Sequence, residues 1–390
     1  MRIPRTAAIR LAFFGHNRKD AAIVRRALAF SKAGIEVTGV MYRRDDEPET
    51  PAPAWAKIDL GHVEHCQHAK RILIHLRAAW RILINRRRLR NTDMFYARNL
   101  DMLALSFLGL PIFSRTRPIV VYECLDVHDV LTQDNVKGAM LRWLERHALK
   151  RINLLVVSSP GFLRQYFQPY QNYRGPAYLF ENKLYFENAP VPRPDPGSIR
   201  NNSAEHLVIA CVGILRCQRT LDLLKQLAAA EPNRVLIRLH GTISEFLIPD
   251  FHAQIQSLPN VLYVGSYQYP EGLASAYDGV HFVWAQELSW SGHNSDWLIP
   301  NRVYEGGYFG TLSLAVQGTE TARLVAQREL GYVLQDAQPE TLIHFVRTMD
   351  YDQVASKRRA LLTRSSSEFV ADIEEIDRLL KHAMTRRSQE

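Results

Sequence analysis

The sequence predicts an α/β fold in which two doubly wound domains face a central cleft. Its 390 residues exceed what a single hydrophobic core supports, so two domains are expected. Short β-rich runs alternate with helical stretches, as in parallel sheets joined by crossover helices. Residues 189–205, APVPRPDPGSIRNNSAE, carry four prolines and almost no apolar side chains, which is typical of a linker. Ligands of such sheets bind beyond the carboxyl ends of the strands, so we expect the chemistry in the loops that follow strands.

The first domain is predicted to span residues 1–190. Residues 8–15, AIRLAFFG, form an apolar strand that ends in glycine, and residues 20–33 carry the apolar spacing of a helix. The polar, proline-containing segment 43–56 is predicted to be a loop. The remaining predicted strands are 35–42, 93–98, 118–124 and 153–158, and the remaining predicted helices are 99–109 and 136–150.

The second domain is predicted to span residues 205–365, where the same alternation restarts. A C-terminal segment, residues 366–390, is predicted to be a helix and tail that return to the first domain. The predicted strands are 206–213, 234–241, 260–264, 279–284 and 311–316. The predicted helices are 219–230, 270–277, one that begins near 301, 319–329, 339–348 and 352–383.

Net charge and cysteine content indicate which partners and which cellular compartment to expect. A formal net charge of +9 favours anionic partners, which include nucleotide phosphates, acidic lipid headgroups and nucleic acid. The four cysteines show neither a CxxC pair nor metal-ligand spacing, so we expect free thiols in a reducing cytosol and no metal site. The longest apolar run, residues 102–113, is too short to span a bilayer. We therefore expect a cytoplasmic protein, with attachment to a membrane surface left open.

A candidate anion-binding loop follows the first strand of the second domain. Residues 207–224 read LVIACVGILRCQRTLDLL, in which the strand ends at Gly213 and a helix begins near Thr220. Arg216 and Arg219 lie between these two points. Glycine permits a sharp turn, the N–H groups of a helix start attract an anion, and two arginines suit a diphosphate. The alternative is an ordinary strand-to-helix turn with solvated arginines.

A candidate ribose-binding carboxylate lies further along the second domain. Residues 300–316, PNRVYEGGYFGTLSLAV, predict a helix that starts at a proline–asparagine pair and carries Glu305 in its first turns. A carboxylate accepts two hydrogen bonds, which suits the hydroxyl groups of a ribose. The alternative is a glutamate favoured there only by the helix dipole.

The order of these segments resembles the donor domain of GT-B glycosyltransferases of the family 4-like group, and in particular bacterial enzymes that build exopolysaccharides of the succinoglycan type. The similar segments are VG–L–R–R–LDLL, LPNVLYVG, IPNRVYEGGYFGTLSLA and GTETARLV followed by LGYVL. The family's PNKxYE segment matches Pro300, Asn301, Arg302, Tyr304 and Glu305.

The resemblance implies a GT-B fold of two Rossmann-like domains and a retaining, metal-independent hexosyltransferase. It implies that Glu305 holds the donor ribose and that Arg216 and Arg219 hold the donor diphosphate. The donor-binding residues that it assigns are Gly213, Arg216, Arg219, Asn301, Tyr304 and Glu305. It implies no cofactor, because the UDP- or GDP-linked sugar is a substrate.

The sequence departs from the family pattern at two positions. Many members carry two glutamates eight positions apart, but Trp297 stands eight positions before Glu305 here. Ile214 occupies the position of the arginine that usually follows the VG strand. The sequence therefore leaves the stereochemistry of transfer and the identity of the donor open.

Candidate catalytic residues of the first domain follow two of its predicted strands. His16 lies in the loop FFGHNR, residues 13–18. Residues 118–129, PIVVYECLDVHD, run from a buried strand into several titratable groups and resemble the YExxD stretch of the family's acceptor domain. Asp126 and His128 are predicted to orient an acceptor hydroxyl or to stabilise the leaving phosphate. The alternatives are a structural role for His16 and helix capping by the second group.

A basic segment, residues 70–90 with sequence KRILIHLRAAWRILINRRRLR, contains eight Lys and Arg residues and no acid. The apolar residues predicted to share one helix face are Ile72, Leu76, Ala79, Trp80 and Leu83. A basic, amphipathic helix that carries tryptophan suits anionic lipid headgroups. The residues predicted to dock there are Arg77, Trp80, Arg81 and Arg88. The alternative is a surface helix whose apolar face packs on the sheet.

Together these features predict a glycosyltransferase that moves a sugar from a nucleotide-sugar donor to a lipid-linked saccharide acceptor in bacterial exopolysaccharide or cell-surface polysaccharide synthesis. It is expected in the cytoplasm, peripheral on the inner face of the cytoplasmic membrane. The alternatives are a sugar-nucleotide epimerase of the same architecture and a basic nucleic-acid-binding protein. Because the basic segment contains no recognised nucleic-acid-binding module, no nucleic-acid partner is expected.

Overall fold

The structure of the chain is a computed structural model, which describes residues 9–18, 20–43, 55–62, 68–111, 117–186, 189–199 and 206–387. The described residues form two compact units. The first unit comprises the described residues up to Glu181 together with those from Asp372 onward, and the second comprises Asn182–Ala371. Each unit is built around one parallel β-sheet.

The first unit contains a seven-stranded sheet. Its strands are β1 (Arg10–Gly15), β2 (Glu36–Arg43), β3 (Ala56–His62), β4 (Met94–Arg98), β5 (Ile119–Cys124), β6 (Leu154–Val157) and β7 (Ala177–Leu179). The helices in the N-terminal part of this unit, before Glu181, are α1 (Ala21–Lys32), α2 (His68–Ile84), α3 (Leu100–Gly109), α4 (Val136–Leu149) and α5 (Pro160–Phe162). The strand order is β3-β2-β1-β4-β5-β6-β7, and all neighbouring pairs are parallel. Helix α3 contacts both α2 and α4, so these three helices form one layer.

The central strands of this sheet account for the continuous apolar runs of the sequence. Strands β4, β5 and β6 are buried at every position, and strands buried on both faces appear as continuous apolar runs. All five strands predicted in the first half are confirmed as β1, β2, β4, β5 and β6. Strand β3, AKIDLGH, was not predicted because it pairs only with β2 at the edge of the sheet and retains exposed polar positions.

The second unit contains a six-stranded sheet. Its strands are β8 (Leu207–Val212), β9 (Val235–His240), β10 (Val261–Gly265), β11 (Phe282–Trp284), β12 (Leu312–Val316) and β13 (Gly331–Leu334). Its helices are α6 (Gln218–Ala230), α7 (Phe251–Ile255), α8 (Leu273–Tyr277), α9 (Asn294–Trp297), α10 (Asn301–Tyr308), α11 (Glu320–Gln327), α12 (Pro339–Thr348) and α13 (Tyr351–Thr363). The strand order is β10-β9-β8-β11-β12-β13, again with parallel pairing. The order reverses between β8 and β11, and such a switch point is where open α/β sheets bind ligands.

The single long helix predicted over residues 352–383 is wrong. Helix α13 ends at Thr363, and a separate helix, α14 (Ile373–Arg387), begins after a segment that contains the 3₁₀ turn Ser366–Glu368. In that segment Phe369 is buried in the core of the second unit, and Val370 pairs with Leu184. Leu184 N donates to Phe369 O at 3.0 Å, and Ala371 N donates to Leu184 O at 2.8 Å. Burial of Phe369 and this backbone pairing outweigh the helical propensity of the surrounding sequence.

The chain passes from the first to the second unit earlier than the proline-rich segment suggests. The boundary lies at Glu181 and Asn182, and the described part of the segment, residues 189–199, belongs to the second unit. Arg193 attaches it there by donating to the backbone oxygens of Tyr308, Leu361 and Arg364 at 2.8, 2.8 and 2.7 Å. The rest of the predicted linker, residues 200–205, lies outside the described residues. Helix α14 packs against α1 and β5, which places it in the first unit.

His281, just before β11, is expected to make the second unit sensitive to acid. Its Nδ1 accepts a hydrogen bond from the Val208 backbone N–H at 3.1 Å, and burial together with the charge of Arg358 lowers its pKa from 6.5 to about 4. The unfolded chain therefore binds this proton more readily, and stability should decrease as the pH falls from 6.5 towards 4. We expect His281→Asn, which retains a side-chain acceptor but does not titrate, to flatten this dependence in urea denaturation. An identical pH profile for both proteins would contradict the assignment.

Candidate active site

The loops that follow β8, β9 and β11 lie at one edge of the second sheet. Gly213 follows β8 with a φ of 113°, a conformation that favours glycine. Gly241 follows β9, and a Cβ atom there would lie 1.7 Å from the Gly213 carbonyl oxygen. The two turns therefore pack backbone against backbone, and a side chain at position 241 could not be accommodated.

A buried carboxylate connects two arginines at this edge. Glu287, in the loop after β11, is 4% exposed, and its Oε2 lies 3.5 Å from Arg216 Nε and 3.8 Å from Arg302 Nη2. Its Oε1 accepts from the Ser289 hydroxyl at 2.7 Å and from the backbone N–H groups of Leu288 and Ser289. Arg302 also donates to the Trp284 carbonyl oxygen at 3.2 Å. The site thus contains two guanidinium groups fixed by one carboxylate.

The residues of this cluster favour one another's ionised forms. Burial alone would raise the pKa of Glu287, but Arg302, the Ser289 hydroxyl and Arg216 outweigh burial and hold that pKa below its ordinary value. The pKa of Arg302 is raised, because nearby Cys211, Glu287, Tyr277 and Glu305 outweigh its burial. Glu287 is therefore ionised at neutral pH, and the cluster has one more positive than negative charge before Glu305 is counted.

The predicted diphosphate ligands occupy different environments. Arg216 belongs to the cluster just described, whereas Arg219 is exposed on α6 and donates to the Ser291 hydroxyl at 3.5 Å. Arg302, part of the matched motif but not predicted as a ligand, is the more deeply buried cation. Glu287 was missed because nothing in its local sequence indicates that two distant arginines converge on it.

Helix α10 positions the predicted ribose-binding carboxylate. Glu305 is 6% exposed, lies about one turn after Arg302, and accepts a hydrogen bond from the Tyr277 hydroxyl at 3.0 Å. Asn301, at the start of α10, accepts from the Asn182 amide at 2.6 Å. Tyr304 is buried in the core of the second unit, so its side chain contributes to packing. Glu305 and Arg302 thus face the same site, while Tyr304 faces inward.

His16 is held by two neighbours at the carboxyl edge of the first sheet. It follows β1, and its Nε2 lies 3.7 Å from Asp20 Oδ2. Its Nδ1 lies 3.5 Å from the Asn99 amide nitrogen, which follows β4. Asp20 caps α1 by accepting from two backbone N–H groups at 3.0 Å each. Burial would raise the pKa of Asp20, but the hydrogen bond with His16 and the charge of Arg98 hold it well below its ordinary value.

The titratable cluster after β5 divides into a buried part and an exposed part. Glu123 is fully buried between Arg26, which donates at 3.1 and 2.8 Å, and Arg98, which donates at 2.7 Å. Asp126 and His128 are exposed, and His128 precedes a short 3₁₀ turn. The structure thus places both predicted catalytic groups at the same sheet edge as His16 and assigns Glu123 to the interior.

The basic segment forms α2 and the 3₁₀ turn Arg86–Leu89. Ala78 and Ile82 are buried, whereas Leu76, Trp80 and Leu83, three residues of the predicted apolar face, are exposed. Arg77 and Arg88 are exposed, and Arg81 lies 3.8 Å from Asp59 Oδ1. The side chain of Ile72 lies outside the described residues. The predicted apolar face thus points mainly away from the sheet.

No helix in the described ranges has both the length and the apolar character needed to cross a bilayer. Among the same residues, no three or more His, Cys, Asp or Glu side chains are grouped so as to hold a metal ion.

Comparisons with known proteins identify similar chains. No family model matches the sequence. Succinoglycan biosynthesis protein ExoL of Rhizobium meliloti (strain 1021) is 35% identical over 342 residues, which cover 86% of this chain and 83% of that protein. Sucrose-phosphate synthase from Thermosynechococcus elongatus has a TM-score of 0.68 at 13% identity, covering 97% of this chain and 99% of that one. Anabaena Alr3699/HepE, solved with UDP and glucose, has a TM-score of 0.63 at 14% identity, with the same coverage. The predicted GT-B fold is confirmed by these likenesses.

Proposed function

Because this chain belongs to the family of succinoglycan biosynthesis protein ExoL, we propose that it is a glycosyltransferase of bacterial exopolysaccharide or cell-surface polysaccharide synthesis. It moves a sugar from a nucleotide-sugar donor to a saccharide acceptor. The observation that carries the proposal is the group formed by Arg216, Arg302, Glu287 and Glu305 at the switch point of the second sheet. It combines cations for a diphosphate with a carboxylate for sugar hydroxyls.

The donor binds through charge and hydrogen bonding at this site. Arg216 and Arg302 present guanidinium groups to the diphosphate, and their charge stabilises the leaving nucleotide as the glycosidic bond breaks. Glu305 accepts hydrogen bonds from the ribose, with Tyr277 fixing its orientation. Arg219 and the Gly213 turn border the same site. Transfer proceeds with retention, without a metal ion or cofactor, from a UDP- or GDP-linked hexose, and a relative in fold solved with UDP and glucose favours the uridine nucleotide.

The acceptor binds on the first unit. His16, whose Nε2 lies beside Asp20 and whose Nδ1 lies beside the Asn99 amide, helps to orient an acceptor hydroxyl at this edge. Asp126 and His128, exposed at the same edge, bind sugar hydroxyls of the acceptor. These assignments rest on the parallel order of β1, β4 and β5, which brings the ends of the three strands to one edge.

The acceptor is lipid-linked, and α2 holds the protein on the inner face of the cytoplasmic membrane. Trp80 and Leu76 are exposed on its outer face, with Arg77 beside them. Each basic residue close to an anionic surface contributes about 1 kcal/mol, so several of them give reversible attachment.

Binding of nucleotide sugars tests the proposed function. A UDP-hexose or a GDP-hexose is expected to raise the melting temperature of the protein, because a ligand of the native state stabilises it by mass action. In Glu305→Gln, the affinity for that donor should fall about 10- to 100-fold, because hydrogen bonds to a charged group are lost. Isothermal titration calorimetry measures this change.

The exposed residue Glu340 provides a matched control on the same unit. Glu340→Gln removes the same charge and should leave donor affinity unchanged. Unchanged affinity of Glu305→Gln for both donors would contradict the donor site. Conversion of the donor sugar to its epimer in the absence of acceptor would favour the epimerase alternative.

A further inference from the structure

A second helix of the first unit exposes an apolar face. On α4, Val136, Met140 and Trp143 are 87%, 56% and 53% exposed. Their spacing of four and three residues places them in one stripe along the helix. The opposite side of α4 is buried through Gly138, Glu145 and Leu149, so the stripe points away from the sheet. Exposed apolar stripes of this kind mark interaction surfaces.

Helices α2 and α4 belong to the same layer. Helix α3 contacts both of them and thus lies between them on one side of the first sheet. On α2, Trp80 and Leu76 are 65% and 62% exposed on the side opposite to buried Ala78 and Ile82. Two tryptophan-bearing apolar stripes therefore face outward from one layer.

Within both helices the exposed charge is positive, and the exposed acid Asp134 lies just before α4, where its Oδ1 is 3.9 Å from Arg142 Nη2. Helix α2 contains no acid, and the one acid within α4, Glu145, is buried, where it accepts hydrogen bonds from Tyr122, Tyr166 and Gln171. Lys137, Arg146 and Lys150 are exposed along or just beyond α4. Apolar stripes bordered by basic residues, with tryptophan among the apolar ones, fit the interface of an anionic bilayer.

We propose that the outer faces of α2 and α4 together form one docking surface for an anionic lipid bilayer, with Trp143 and Met140 entering the headgroup region beside Trp80 and Leu76. The proposal extends the attachment through α2 proposed above. A single helix permits the protein to roll about the helix axis, whereas two separate stripes define a plane. The second stripe therefore fixes the orientation of the first unit on the membrane.

Flotation with lipid vesicles tests the contribution of α4. The full-length double variant Met140→Ser/Trp143→Ser is compared with Leu76→Ser/Trp80→Ser and wild type on vesicles of equimolar phosphatidylglycerol and phosphatidylcholine. All four side chains are exposed, so folding is expected to be intact. Each double variant should lower the partition coefficient about ten-fold or more, since each removes apolar area from the bilayer interface. The wild type should bind phosphatidylcholine vesicles much more weakly.

Phe246, 93% exposed on the second unit, supplies the matched control, and Phe246→Ser should bind vesicles as the wild type does. Wild-type vesicle binding by Met140→Ser/Trp143→Ser would overturn the proposal. So would a wild-type dimer, seen by analytical ultracentrifugation, that this variant abolishes, because the stripe would then bind a second copy. The thermal shift with a nucleotide sugar should be the same in all variants. Its absence in the wild type would refute the donor site without affecting the vesicle result.

Discussion

Replacing Glu123 with glutamine is expected to lower the free energy of unfolding by about 3–5 kcal/mol, because it leaves two buried arginines without their counter-ion. Glu123 is fully buried, and Arg26 and Arg98 are 7% and 1% exposed. Burial alone would raise the pKa of Glu123, but the charges and hydrogen bonds of these two arginines hold it below its ordinary value. The carboxylate is therefore ionised, and its negative charge compensates the positive charges of the two buried arginines. Urea denaturation followed by circular dichroism measures the change.

A surface pair in the same unit provides the control. Arg10 Nε lies 3.5 Å from Glu36 Oε2, and both side chains are more than half exposed. Glu36→Gln removes the same type of partner in water and should cost about 1 kcal/mol or less. If Glu123→Gln had an equally small effect, the ion group would not be required for the stability of the first unit.

Replacing Arg302 with methionine is expected to lower kcat/KM for sugar transfer by about two orders of magnitude, because the leaving diphosphate loses a preorganised cation. The substitution also leaves Glu287 with Arg216 as its remaining ion-pair partner in the cluster. A carboxylate that faces one cation instead of two repels the diphosphate more strongly, so donor affinity should fall together with kcat. Steady-state kinetics with a radiolabelled donor and a membrane lipid extract as acceptor measures both.

Arg219→Met is the matched variant, because it removes the same charge from an exposed position of the same site. Its effect should be clearly smaller, since solvent screens an exposed charge. A melting temperature for each variant separates loss of activity from loss of folding. Equal effects of the two substitutions would show that burial of Arg302 has no part in donor recognition.

The sequence predicts the fold well where the pattern is repetitive and local. Parallel strands such as β5, IVVYEC, are apolar at successive positions because both faces are covered, and the chain alternates them with helices. The break between α13 and α14 was missed because it depends on Phe369, whose burial is determined by partners far away in the chain. Edge strand β3 was missed because half of its environment is solvent.

In the candidate site, too, the features that depend on residues far apart in the chain are the ones that the sequence does not predict. Arg216 and Glu305 are candidates on the sequence alone, because a strand end, a glycine and a helix start predict their place at the edge of a sheet. Glu287 was not found, because its role depends on Arg216 and Arg302, which are 71 and 15 residues away in the sequence. Glu123 and Asp126 are neighbours in sequence, yet one is fully buried and the other exposed, and only the packing of Arg26 and Arg98 distinguishes them.

The pairing of Leu184 with Val370 has a consequence for synthesis on the ribosome. It brings the first and last residues of the second unit together, so that this unit is a closed insertion in the chain. Helix α14, which packs against α1 and β5, is translated only after the whole insertion. Part of the core of the first unit therefore stays uncovered until α14 has been translated, and apolar surface exposed in this way makes a growing chain prone to aggregation.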